Sequence, residues 1–261
     1  VYDYETGHYG EQPDELILWI GNKCDMACVM CSSENSDTWS KVHPDKALPV
    51  IIDGGHDPFE IIKHFKPKNR YDIYGGEPFI YKDFYRLIER LLLESNATIR
   101  MVTNANRPLS TSATYRKLMV RHPERFSIVV SLDGIPEVNE QQRILVKTKN
   151  VIDNIHLLIK DGFDVSINHA LSAVNADTFL NFLEYLDGVG LYDKITLHVN
   201  PVYKSVEHEL TALTPRQLLR VRRDFHSIVN RAHTTTHVGF RDGIHLALFH
   251  LEEILVSTGI G

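Results

Sequence analysis

Apolar positions along the chain fall into two alternating patterns. Short runs rich in β-branched residues read as buried strands. They cover Glu15–Ile20, Arg70–Tyr74, Ala97–Val102, Phe126–Ser131, Asp164–Asn168 and Lys194–Val199. Between them, apolar residues recur at helical spacing. Phe84, Leu87, Ile88 and Leu91 share one helix face. Val151, Ile152, Ile155, Leu158 and Ile159 form a second, with Thr148 placed to cap its start and Gly162 to end it. Phe179, Phe182, Leu183 and Leu186 form a third, with Asn175 as its cap and Gly188 as its stop. After Pro201 the pattern is helical over Pro215–Ala232 and Gly243–Leu255, the first of these opened by Thr214 and Pro215. Ser32–Asn69 lacks a clear strand and predicts one or two helices and a Pro/Gly-rich loop around Leu48–Pro58.

Strands that alternate with helices read as βαβ units on a parallel sheet. Right-handed crossovers wind such a sheet into an open or closed barrel. A full TIM barrel needs eight strands, and six are legible here. The expected fold is therefore α/β: a partial (β/α)6 TIM-like barrel of parallel strands with a mostly helical C-terminal extension. Residues 1–13 read as an N-terminal extension, 14–202 as the core and 203–261 as the helical extension.

Alternation sorts each strand into two faces. Ile99, Met101, Ile128, Val130, Val165, Ile167, Ile195, Leu197 and Val199 make an apolar set that should face the helices. The opposite set is largely polar and should face the lumen. A closed TIM barrel fills its interior with bulky aliphatic side chains, so a polar lumen points to a polar ligand. His198, Asn168, Arg100 and Asn200 are the substrate-side candidates, the first three as catalytic residues.

Composition narrows the partners. The 261 residues include 34 acidic and 28 basic side chains, a net charge of −6 with neutral histidine. Such a chain makes a poor general nucleic-acid binder, because phosphate contact needs a basic field. Arg216, Arg220, Arg222 and Arg223 are a local exception and read as a solvated helix face. No apolar run reaches the roughly 18 residues of a membrane span. Val1–Gly10 carries no apolar export signal, so a cytoplasmic location is expected. His233, His237, His245 and His250 are loosely spaced, and Thr234–Thr236 makes a poor helix, so no metal site is read there.

The chain has three cysteines, Cys24, Cys28 and Cys31, spaced C-x3-C-x2-C directly after the first strand. An odd count with no partner elsewhere excludes a disulfide framework. Three soft thiolates this close favour zinc or iron–sulfur. A structural zinc site wants four protein ligands, and a distant histidine such as His43 would have to supply the fourth. A [4Fe–4S] cluster held by three cysteines keeps one iron open. Unligated core thiols, or a redox pair plus a spare, are the remaining readings. The positive charge of Lys23 should lower the thiol pKa values.

The cysteine spacing resembles the signature of the radical S-adenosylmethionine (radical SAM) superfamily. Two further motifs agree with it in order and place. Gly75-Gly76-Glu77-Pro78 follows the second strand, and Ser131-Leu132-Asp133-Gly134 follows the fourth. The latter is similar to the branch that includes peptide-modifying and molybdenum-cofactor enzymes. The likeness covers about residues 14–202.

The resemblance implies that Cys24, Cys28 and Cys31 hold a [4Fe–4S] cluster whose open iron binds S-adenosyl-L-methionine. One-electron cleavage then gives a 5′-deoxyadenosyl radical that abstracts hydrogen. It implies Gly75, Gly76 and Glu77, with Pro78, around the methionine amino group. It places Ser131 and Asp133 near the carboxylate and ribose, Arg143 on that carboxylate and Asn104 at the mouth. Met30 stands where many relatives have an aromatic residue and would pack on adenine through its thioether. The implied partners are a small-molecule or peptide substrate and a flavodoxin- or ferredoxin-like electron donor. No cysteine is left for an auxiliary cluster. Two other readings stay open: an activase that puts a glycyl radical on a partner protein, and a non-catalytic zinc-binding α/β interaction module.

Overall fold

Six parallel strands hydrogen-bond in the order in which they occur in the chain. They are β1 (Glu15–Trp19), β2 (Arg70–Tyr74), β3 (Thr98–Thr103), β4 (Phe126–Ser131), β5 (Asp164–Leu171) and β6 (Thr196–Pro201). The computed structural model describes residues 2–3, 8–9, 12–46, 57–203, 207–232, 238–257 and 259. The expected loop around Leu48–Pro58 lies outside the described residues as far as His56, and so do His233 and His237. A short antiparallel pair, Tyr2–Asp3 with His8–Tyr9, stands apart from the sheet.

The apolar set of the strands is buried as expected, with Leu18, Ile73, Ile99, Met101, Ile128, Val130, Ile167, Leu197 and Val199 in the core. α-Helices connect and flank the strands. They are α1 (Asp37–Val42), α2 (Pro58–His64), α3 (Phe84–Glu94), α4 (Ala113–Lys117), α5 (Pro136–Gln142), α6 (Thr148–Lys160), α7 (Phe179–Gly188), α8 (Pro215–Ala232) and α9 (Val238–Ser257). The sequence-based face of α3 is the buried one: Phe84, Leu87, Ile88 and Leu91. Helix α8 opens on a reciprocal cap in which Gln217 Oε1 accepts from Thr214 N–H and Thr214 Oγ accepts from Gln217 N–H. It packs on α7, where Phe225 stacks on Phe179 with centroids 4.7 Å apart. Helix α9 runs along β6 and α8. Among the described residues, no helix is long and apolar enough to cross a membrane.

Two capping expectations fail. Thr148 is the first residue of α6, preceded by Lys147. Its hydroxyl accepts instead from Asn139 Nδ2 at 3.0 Å. Asn175 gives no cap to α7, which begins after Thr178. Its amide is committed elsewhere, as described below. Gly162 does end α6, with φ +86°. Helix α7 ends at Gly188, but the left-handed residue beyond it is Gly190, φ +70°.

The barrel is open on the β1 side. Ile17 and Trp19 lie on the lumen face of that edge strand and are 63% and 44% exposed.

Candidate functional site

The segment after β1 is fixed by its own backbone and by polar side chains. Cys24 N–H donates to Asp37 Oδ1 at 3.0 Å, and Thr38 hydroxyl donates to Cys24 O at 2.7 Å. Ser36 hydroxyl donates to Met26 O at 2.6 Å. Cys31 N–H donates to Cys28 O at 3.0 Å, closing the turn that carries the half-buried Met30. All three cysteines are half-buried and unpaired with one another.

The loop after β2 packs directly against this segment. Gly76 N–H donates to Gly21 O at 2.8 Å and Glu77 N–H to Lys23 O at 2.7 Å. Pro78 is buried behind it. Glu77 is almost wholly buried, and both of its oxygens are engaged. Oε1 accepts from Phe79 N–H at 3.1 Å and Thr103 hydroxyl at 2.8 Å, and Oε2 accepts from Asn104 N–H at 2.8 Å. Burial pushes its carboxyl up to about 7, against these hydrogen bonds. Glu77 thus ties the β2 loop to the end of β3.

Asn104 faces the cysteine segment. Its Nδ2 donates to Asp25 Oδ1 at 2.9 Å and lies 3.9 Å from Cys24 Sγ. Arg107 holds the other Asp25 oxygen at 2.8 Å. Asp25 carries no motif signal, and its position beside Cys24 is the only hint the sequence offers.

The loop after β4 supplies the second polar group against sulfur. Asp133 is 0% exposed and Ser131, just before it, is buried. Asp133 pairs with Arg143, whose Nε lies 2.7 Å from Oδ2 and whose Nη2 donates to Oδ1 at 3.1 Å. Ala170 N–H and Gln142 Nε2 each donate to Asp133 at 2.8 Å. Asn175 Nδ2 braces the same corner, donating to Asp133 O at 2.9 Å and Ala170 O at 2.8 Å. The remaining arm of Arg143, Nη1, lies 3.9 Å from Cys28 Sγ. Gln142 and Asn175 were missed as site residues, because neither stands in a motif.

Burial pushes the thiols up, Cys24 to about 12 and Cys28 to about 11, with Cys31 also raised. Lys23 does not counter this as expected. Its exposed ammonium pairs with Asp37 at 2.9 Å. Arg143 is the group that opposes burial at Cys28. Among the described residues, no three His, Cys, Asp or Glu side chains gather around one point, as a mononuclear metal site needs. The donor set fits an iron–sulfur cluster: three soft, half-buried thiols with N–H groups directed at two of the sulfurs.

The substrate-side candidates lie at different heights of the lumen. Asn168 shares register with Ser131 on β4, and its Oδ1 accepts from Asn200 Nδ2 at 2.6 Å. His198, the register partner of Asn168, lines a hollow of about 510 Å³ with Arg70, Arg100, Ser127, Asp164 and Thr196, and this hollow extends toward the strand starts. Arg100 lies four residues before Asn104, about 13 Å along the strand direction. It sits 3.7 Å from the buried Asp72. The lumen face is largely polar from β3 to β6 but carries Ile17 and Trp19 on β1, and Arg100 is not at the level of the cysteines.

Comparisons with known proteins bear on this arrangement. The family described as the Radical SAM superfamily matches residues 20–186. The GTP 3′,8-cyclase of Campylobacter lari is 25% identical over 190 residues, which is 68% of this chain and 53% of that protein. The chain therefore spans about half the length of that curated relative. SuiB of Streptococcus suis, bound to its precursor peptide SuiA, is similar in fold with a TM-score of 0.54 at 16% identity, over 87% of this chain and 48% of SuiB. For anSMEcpe with bound AdoMet and a Cp18Cys peptide the TM-score is 0.60 at 15% identity, over 85% of this chain and 61% of that one. Both likenesses bear on fold: six parallel strands with helices, and a helical C-terminal region.

Proposed function

The chain belongs to the radical SAM superfamily, and we propose that it is an enzyme that removes a hydrogen atom from a polar substrate. When bound, a [4Fe–4S] cluster and S-adenosyl-L-methionine supply one-electron cleavage of a sulfonium bond to a carbon radical. The observation that carries the reading is the meeting of three loops. Three half-buried thiols after β1 lie against the Gly75-Gly76-Glu77-Pro78 loop after β2 and against Arg143, held by Asp133 after β4.

Cys24, Cys28 and Cys31 would hold the cluster. The carbonyls of Gly75 and Gly76 would receive the methionine ammonium, with Glu77 braced beneath them and Pro78 fixing the turn. Ser131, Asn104 and Met30 would line the rest of the cofactor. Arg143 still has one free N–H on each terminal nitrogen for the methionine carboxylate. Asn168, in register with Ser131 and His198, and Asn200, hydrogen-bonded to Asn168, would be the first polar groups toward the lumen, with Arg100 below them. They would orient a small metabolite or a peptide. Peptides occupy SuiB and anSMEcpe, whereas the GTP 3′,8-cyclase is named for a nucleotide. A flavodoxin- or ferredoxin-like donor would deliver the electron.

The test is anaerobic reconstitution with iron and sulfide, followed by a 5′-deoxyadenosine assay with a chemical reductant. The wild-type chain should bind iron and sulfide and release 5′-deoxyadenosine, and Cys28→Ala should do neither. Zinc without iron or sulfide would end the reading. With a substrate in hand, Asn168→Ala and His198→Ala should keep cluster content and lose turnover. Unchanged turnover in both would remove them from the site.

A further inference from the structure

Arg143 is built into the cysteine segment itself. Ala27 N–H donates to Ile144 O at 3.1 Å, and Val29 N–H donates to Gln142 O at 2.9 Å. These two bonds tie the residues on either side of Cys28 to those on either side of Arg143, at the end of α5. The backbone thus delivers the guanidinium to this sulfur, and Nη1 comes to 3.9 Å from Cys28 Sγ. Asp133 takes the far side of the fork, at 2.7 Å and 3.1 Å. Gln142 and Ala170 hold Asp133 in turn.

The result is a buried dipole with its positive end against the thiol and its negative end turned away. A buried ion pair is weak support for stability, since desolvation offsets its attraction. Its fixed orientation is what distinguishes this one. Neither of the other two cysteines has a charged N–H within hydrogen-bond distance, although Arg143 also acts on Cys31 through its charge. Cys24 meets the neutral amide of Asn104 at 3.9 Å, and Cys31 lies 3.7 Å from the carbonyl of Ser32.

We propose that Arg143, oriented by Asp133, raises the reduction potential of the cluster by presenting a charged N–H to the Cys28 sulfur. This rests on the reading that the three cysteines hold a [4Fe–4S] cluster. One-electron reduction adds negative charge to the cluster and its sulfurs. Hydrogen bonds and positive charge at a ligand sulfur favour that reduced form.

The experiment is a redox titration of the reconstituted holoenzyme without S-adenosylmethionine, following the electron paramagnetic resonance signal of the reduced cluster. At the wild-type midpoint, Arg143→Met should lower the ratio of reduced to oxidised cluster about tenfold, a shift of about 59 mV for one electron. Arg143→Lys, which keeps the charge, should shift less in the same direction. A second measurement needs no variant. Wild-type holoenzyme carrying ¹⁵N-arginine should show, by pulsed resonance, a weakly coupled nitrogen whose frequency follows the isotope. An unchanged midpoint in an Arg143→Met protein with full iron and sulfide overturns the proposal. So does the absence of any arginine nitrogen coupling in the wild-type cluster, even if Arg143→Met fails to load. A wild-type chain that binds no iron and sulfide overturns the cluster reading itself, which is a separate result.

Discussion

At Gly76 a single added carbon decides whether the cysteine segment can sit where it does. A Cβ there would stand 2.1 Å from Lys23 O, and one at Gly75 would stand 2.5 Å from Gly21 O. The obstacle in each case is backbone oxygen, so no side-chain rotation relieves it. Gly75 also has φ +140°, a conformation that other residues rarely adopt. These glycines were legible in the sequence as a motif that meets a cation. The structure adds a second reason for them, the close approach of the Gly21–Lys23 backbone. Gly76→Ala should therefore push the β2 loop off the cysteine segment. The expected loss is about 1–3 kcal/mol of stability, the usual range for overpacking. It should come with a fall in iron bound on reconstitution, measured by thermal unfolding and metal analysis. Wild-type loading at unchanged melting temperature would contradict it. Two other residues near the sulfurs carry strain. Ala105 (φ +49°) follows Asn104, and Leu145 (φ +76°) lies two residues after Arg143. Among the described residues they are the only non-glycine positions with positive φ. Ala105 adjoins Asn104, and Leu145 lies within two residues of Arg143, the two side chains that reach a thiol.

At the scale of elements, what was legible followed the strength of the local pattern. Strands β2 and β4 match their expected bounds: Asn69 and Gly75 flank β2, and Arg125 and the Asp133-Gly134 turn bracket β4. Strand β5 runs on to Leu171, past the expected Asn168, since Ala170 and Leu171 pair with Asn200 and Pro201 of β6. Neither Ala nor Pro signals a strand by propensity, so only tertiary pairing reveals this. The same reason hid Asn175, which looks like a helix cap and instead holds the Asp133 corner. Helix α8 was legible throughout, because its apolar stripe is long and its start is capped. Leu218, Val221, Phe225 and Ile228 are all buried. Its docking hinges on Phe225 against Phe179, at 4.7 Å between centroids. Phe225→Ala should cost about 3–5 kcal/mol, the range for deleting a buried aromatic side chain. Urea unfolding checks it, and a loss below about 1 kcal/mol would mean that α8 repacks without this contact. The pairing of Cys28 with Arg143 spans 115 residues of sequence. No local periodicity encodes a contact between segments so far apart, so the cysteine motif and the family resemblance named the two residues without showing that they touch.

Folding stability belongs to the whole molecule, and two buried groups tilt it in opposite directions with pH. Glu77 keeps its proton up to about pH 7 in the folded chain, against an ordinary value of 4.5, because burial disfavours its charged form. Its folded pKa is raised, so the stability that it contributes is full below pH 4.5 and is lost as pH rises toward about 7. His169, packed between Phe179 and Phe182, is driven down to about 4 from 6.5, again by burial. Its folded pKa is depressed, so its contribution is full above pH 6.5 and is lost as pH falls toward about 4. Between pH 4.5 and 6.5 the folded chain binds one proton more at Glu77 and one fewer at His169 than the unfolded chain does. The two slopes therefore cancel across that window. Each alone amounts to at most about 3 kcal/mol over the window, at 1.36 kcal/mol per pH unit. Single substitutions should expose the hidden slopes. Relative to wild type, Glu77→Gln should become progressively more stable as pH rises through the window. His169→Phe should become progressively less stable over the same range, having removed a group that penalises only the acid side. The double variant should return to a profile parallel to wild type. Urea unfolding at three pH values across the window reads all four proteins. Parallel single-variant profiles would show that neither group titrates differently on folding, and the opposed burial penalties at the two sites would have to be abandoned.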